Sequence, residues 1–235
     1  MQTAHHARIR LGALGLGLSA LLLMVFPLAR PFFQMDIFAP EETMAAASPA
    51  FASVAWMLSH YLAMLGFVLL LGGMLALYAF HAGPETEPRA FRGLLWGIMG
   101  VALILPAFGV EAFTMPAIGK LHLDGVTGLA PMIPLTYRGP MTIVLILGLV
   151  FLGMGAFNFA FAVRRRGQLP VWAGFVFAIG LALWLPLLPK PVRIIDGLLI
   201  GLGGIPLAWS MWRNAAQARS FLSASTVCAG SGRRV

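Results

Sequence analysis

From Leu11 to Ala29 the chain runs for nineteen residues without a charged side chain. Apolar stretches of similar length recur at about 54–80, 93–115, 141–163, 171–188 and 194–212. Roughly 20 apolar residues is the length an α-helix needs to cross the hydrocarbon core of a bilayer. A backbone in hydrocarbon must satisfy its own hydrogen bonds, which leaves helices or a closed barrel. These runs are long and lack strict alternation, so the sequence predicts helices. The expected fold is an all-α membrane protein: one six-helix transmembrane domain over 1–213, then a flexible basic tail over 214–235.

Composition agrees with that reading. Of 235 residues, 60% are hydrophobic and only 10% charged. A soluble domain carries about 25% charged residues, so lipid must be the solvent for most of this chain. The net charge of +8 does not point to nucleic acid, because the basic residues lie between apolar runs and form no continuous patch. They read instead as membrane-flanking anchors.

With six crossings, both termini share one side. One set of loops and ends then carries Arg8, Arg10, Arg89, Arg92, Arg164, Arg165, Arg166, Arg213, Arg219, Arg233 and Arg234. The other carries Arg30, Lys120, Arg138, Lys190 and Arg193. Eleven against five is the asymmetry that places the richer side, and so both termini, in the cytoplasm. The expected location is a plasma or inner membrane of prokaryotic type. The first run is read as an uncleaved helix, since small residues suited to signal cleavage occur only around 45–47 and 50–52. Residues 30–53 read as a loop, with the Ala-rich part a short interfacial helix. Trp56, Trp96, Trp172 and Trp212 lie near span ends, as an aromatic belt would. Glycines such as Gly12, Gly72, Gly155 and Gly203 read as close helix contacts.

Glu111 is the one carboxylate well inside an apolar run. An unpaired carboxylate there costs about 2.5–3.5 kcal/mol even on a mild insertion scale, so a partner is expected. His60, in the preceding run, is the candidate. Each sits seven residues outward of its span's centre, about 10 Å from the midplane, and a short hairpin joins the two spans. Pro106 is expected to kink the third helix by removing a backbone donor and disturbing the Ala102 carbonyl. After that helix, 116–140 reads as a long connection. If KLHLD is extended, His122 and Asp124 share a face. His60, Glu111, His122 and Asp124 together are weak candidates for a metal such as Zn²⁺ or Fe²⁺, with no HExxH or HxxxH to support it.

Other chemistry has less in its favour. There is one cysteine, Cys228, and no CxxC. No P-loop, GxSxG or strand-linked GxGxxG occurs. His60 and His81 are about 31 Å apart along one helix and cannot share a haem. No cofactor is expected. The preferred reading is a non-catalytic membrane module (transporter-like, sensor or assembly) with an outward-facing polar pocket around Glu111 and His60. Its expected surroundings are the bilayer and a second copy or another membrane protein. The alternatives are a membrane enzyme using Glu111 and His60 as acid/base or metal ligands, and a haem- or quinone-binding electron-transfer subunit.

Overall fold

A computed structural model describes the backbone of residues 2–33, 35–36, 38–184 and 188–231, and the side chains of 5–33, 35–36, 38–184 and 188–216. All the regular secondary structure among the described residues is helical, with no strands. The elements are α1 (Gln2–Ala29), α2 (Pro40–Phe51), α3 (Val54–Phe80), α4 (Glu87–Gly109), a π-helical turn (Val110–Thr114), α5 (Met115–Leu123), α6 (Met132–Tyr137), α7 (Pro140–Arg166), α8 (Val171–Leu183) and α9 (Lys190–Ser231). Five apolar helical segments among the described residues are long enough to cross a membrane: His5–Ala29, Val54–Phe80, Glu87–Leu123, Met132–Arg166 and Lys190–Ala216.

α8 is the exception. Its 13 residues extend about 20 Å, short of a hydrocarbon core of about 30 Å. The expected span reached 188, but the helix stops at Leu183, and 185–187 lie outside the described residues. The sequence reason is the set Pro186, Pro189 and Pro191, each of which removes a helical donor. α9 runs on to Ser231, through most of the stretch read as a tail; residues 232–235 lie outside the described residues.

Packing pairs place the helices in a closed ring. α1 packs on α3, α3 on α4, α4 on α7, α7 on α8, α8 on α9, and α9 back on α1. Glycine makes these approaches close. A Cβ on Gly155 of α7 would lie 2.9 Å from the Gly93 carbonyl oxygen of α4, and one on Gly148 would lie 3.0 Å from that of Gly100. Gly12 meets Gly72 and Ala76 between α1 and α3, and Gly203 meets Ala173 and Phe177 between α9 and α8. Where lipid is as apolar as the side chains, such backbone approach is what holds helices together. Large apolar residues also face outward, including Leu18, Leu65, Val68, Ile146 and Leu202, as a lipid-facing surface requires.

A second, smaller core lies at one end. α2 packs on α3, α5 and α6, and Met44, Phe51, Trp56, Ile118, Ile133 and Tyr137 are buried together. This is a helical cap over the end that carries Arg30 and Glu111. Here the sequence expectation needs correction. The third apolar helix does not end near 115; it continues through the π-turn to Leu123, so KLHLD is helical and not extended. Only Asp124, after the last helical residue, leaves the helix. Nor is Trp56 a belt residue: it is fully buried in the cap core. The cap supplies apolar partners on all sides, and those outweigh the pull of the interface.

Candidate functional site

The site begins with a backbone fault that the sequence builds in. In the π-turn, the Met115 N–H donates to the Val110 carbonyl, five residues back. Met115 is therefore not available to Glu111. The next donor in that register would be residue 116, which is proline and has no N–H. The Glu111 carbonyl is left without a helical donor, and the Trp56 indole Nε1–H fills the gap at 2.7 Å. A buried carbonyl must find some partner. This bond ties α3 to the turn and fixes the level at which the Glu111 side chain emerges.

That side chain is largely buried, 9% exposed as a residue. Its Oε1 accepts a hydrogen bond from Tyr137 Oη at 2.8 Å. Its Oε2 lies 3.6 Å from Arg30 Nη2 and 3.6 Å from His60 Nε2. Both are longer than a direct hydrogen bond; the Arg30 approach is one of opposite charges, and the His60 approach becomes one only when the ring is protonated. Arg30 follows directly on α1, and its guanidinium rests over the Trp56 ring at 4.3 Å. Arg193 and Asp196, buried three residues apart on α9, extend the charged set; Arg193 lies within electrostatic reach of Arg30 and Glu111.

His60 is defined by its other nitrogen. Nδ1 lies 2.7 Å from the Trp56 carbonyl oxygen. A carbonyl can only accept, so Nδ1 carries a proton. When the imidazole is neutral, Nε2 therefore turns a lone pair toward Glu111 Oε2. Two lone pairs facing each other repel, and a single proton held by either group turns that repulsion into attraction. The ring is clamped against Trp56 (4.6 Å), Phe26 (5.3 Å) and Phe108 (5.7 Å). Below it Phe108, Phe67 and Trp184 form an aromatic plug, with Trp184 stacked on Phe108 at 5.3 Å. Beside Glu111 and Tyr137 lies a cavity of ≈ 10 Å³, walled by residues that include His60, Phe108 and Leu145. That is about the space one water centre needs.

Of the four residues singled out from sequence, the structure brings His60 and Glu111 together. It does not bring in the other two. His122 is in the last turn of α5 and Asp124 is exposed just after it. His122 lies eleven residues beyond Glu111 on a nearly continuous helix, about 16 Å along the axis. Among the described residues no group of three or more His, Cys, Asp or Glu converges as a metal would need. Sequence reasoning missed Arg30, Tyr137 and Trp56. One signal was available: Pro116, five residues after Glu111, predicts an orphan carbonyl once a π-turn is considered. For Tyr137 there was none, since it arrives from the far end of the cap.

Comparison with known protein families, curated proteins and solved structures returns no significant match.

Proposed function

We propose that this chain is a small integral membrane module, transporter-like or sensory, whose working centre is a proton shared between Glu111 and His60. One observation carries the reading. A buried carboxylate oxygen faces, at 3.6 Å, the single nitrogen of His60 that is free to gain or lose a proton. Arg30 and Tyr137 hold the carboxylate in place, and the adjoining cavity admits one water rather than an organic molecule. Ligand pockets for small molecules have volumes of about 300–1,000 Å³. The enzyme and the haem or quinone readings need such a volume next to His60 and Glu111, so they rank below the proton reading.

The topology is proposed with it: six crossings, both termini cytoplasmic, the Glu111 end facing outward. Its support is the eleven-to-five division of basic residues and the role of α8 in completing the ring. Proton exchange then takes place on the outer side, beneath the cap.

Infrared difference spectroscopy of the protein in liposomes tests this centre. A pH step should produce a carboxyl C=O band in the parent, which vanishes in Glu111→Gln and moves in His60→Gln. Identical spectra and identical proton uptake for parent and Glu111→Gln would sink the proposal.

A further inference from the structure

The end opposite Glu111 holds a second, larger opening. A cleft of ≈ 680 Å³ lies between the start of α1, the end of α3, the α7–α8 turn and α9. That is within the range of ligand pockets. Among the described residues its polar lining is His5, His6, Arg166, Gln168 and Asn214, with no carboxylate. Its apolar wall includes Phe80.

The polar lining is exposed or half-buried, and hydrogen bonds at the α7–α8 turn orient part of it. α7 ends at Gly167, whose φ of +67° is a left-handed conformation that costs glycine nothing. That turn sets Arg166 and Gln168 side by side, and Arg166 Nε donates to Gln168 Oε1 at 2.8 Å. Asn214 Nδ2 donates to the Gln168 carbonyl at 2.9 Å, which ties the turn to α9. The Arg166 guanidinium sits 5.2 Å from the centre of the Phe80 ring. Its Nε is thus used for orientation. Among the described residues its side chain makes no other hydrogen bond, and the residue is exposed where it lines the cleft.

We infer that this cleft binds a phosphate-bearing anion, with the phosphate on Arg166 and the Gln168 side-chain amide and the apolar remainder against Phe80. A planar guanidinium suits a phosphate, which it can bind through two parallel hydrogen bonds. Basic pockets between helices at a membrane surface are where anionic lipid head groups are held. A free phosphate ester offers the same chemistry.

Native mass spectrometry of the detergent-purified full chain separates the possibilities, with phosphatidylglycerol, phosphatidylcholine and glycerol phosphate as probes. The parent should bind phosphatidylglycerol more tightly than phosphatidylcholine. Arg166→Gln should weaken it roughly tenfold or more, as loss of a charged hydrogen bond does. Gln168→Glu, which places a negative charge in the cleft, should do the same and serves if Arg166→Gln does not fold. Arg164→Gln, in the same basic run but outside the lining, should bind like the parent. Competition by glycerol phosphate identifies a free ester as a ligand; its failure to compete identifies the lipid. Equal binding of the two lipids, or equal losses in Arg164→Gln and Arg166→Gln, overturns the site and leaves only general membrane-flanking charge.

Discussion

His60 and His81 stand at opposite ends of the same helix and are bound in the same way. Each Nδ1 lies against the carbonyl four residues back, Trp56 at 2.7 Å and Leu77 at 2.8 Å. Both rings are buried, and both have aromatic neighbours. Local sequence therefore sets the same tautomer twice. The difference is across the ring. His60 Nε2 faces the Glu111 carboxylate, whereas His81 Nε2 is buried with no hydrogen-bond partner among the described residues. At His81, burial pushes the imidazole below its usual pKa; Arg166 adds to this, and the Leu77 carbonyl opposes it only in part. The same local geometry thus meets two different surroundings, and only at His60 does another helix bring an acid to the ring.

The largest expected effect breaks that contrast at its source. Glu111→Ala takes the carboxylate from Arg30, His60 and Tyr137, and removal of one partner from a buried charge pair costs about 3–5 kcal/mol. Unfolding in mixed detergent micelles measures it. A loss below about 1 kcal/mol, the range of exposed pairs, would show that Glu111 is solvated and not the centre of the cluster.

The next tests the backbone fault. Trp56→Phe strands the Glu111 carbonyl, at about 1–3 kcal/mol for a buried unsatisfied group. Pro116→Ala restores an N–H in reach of that carbonyl. The double variant should therefore lose less than the sum of the two single ones, a coupling that a double-mutant cycle reads directly. Strict additivity would remove Pro116 from the explanation.

The smallest effect is at His81. Its folded pKa is depressed, so its contribution to stability is present above the unfolded value of about 6.5. That contribution is lost as pH falls through this value toward the folded one, because the unfolded chain takes up a proton that the folded chain refuses. Between about pH 7 and about pH 5 the parent should lose more thermal stability than His81→Gln. Parallel Tm curves would show that His81 protonates freely in the fold.

Much of this arrangement was legible before any coordinates. Apolar run lengths gave five helices long enough to span, with α8 falling short, and depth counting put His60 and Glu111 level with each other. The glycines at positions such as 12 and 155 were readable as close contacts, because a membrane interior leaves small residues little other use. The connection after the third helix was not legible. Lys120, His122 and Asp124 among glycines and prolines look like loop, yet α2 packs along one face of that segment, which is helical to Leu123. Propensity is a weak local signal, and tertiary burial overrides it.

By itself the sequence determined the apolar length of the helices, the scarcity of charge that suits them to lipid, and the common level of His60 and Glu111. Each follows from quantities that accumulate along the chain: run length, rise per residue and charge. Only the tertiary structure decided that Arg30, Trp56 and Tyr137 complete the Glu111 site, while His122 and Asp124 stay outside it. A helix's periodicity shows which face it buries but not which neighbour it meets. That choice rests on how close glycine lets the backbones come, and on one carbonyl, orphaned by the π-turn and Pro116, that an indole from another helix satisfies.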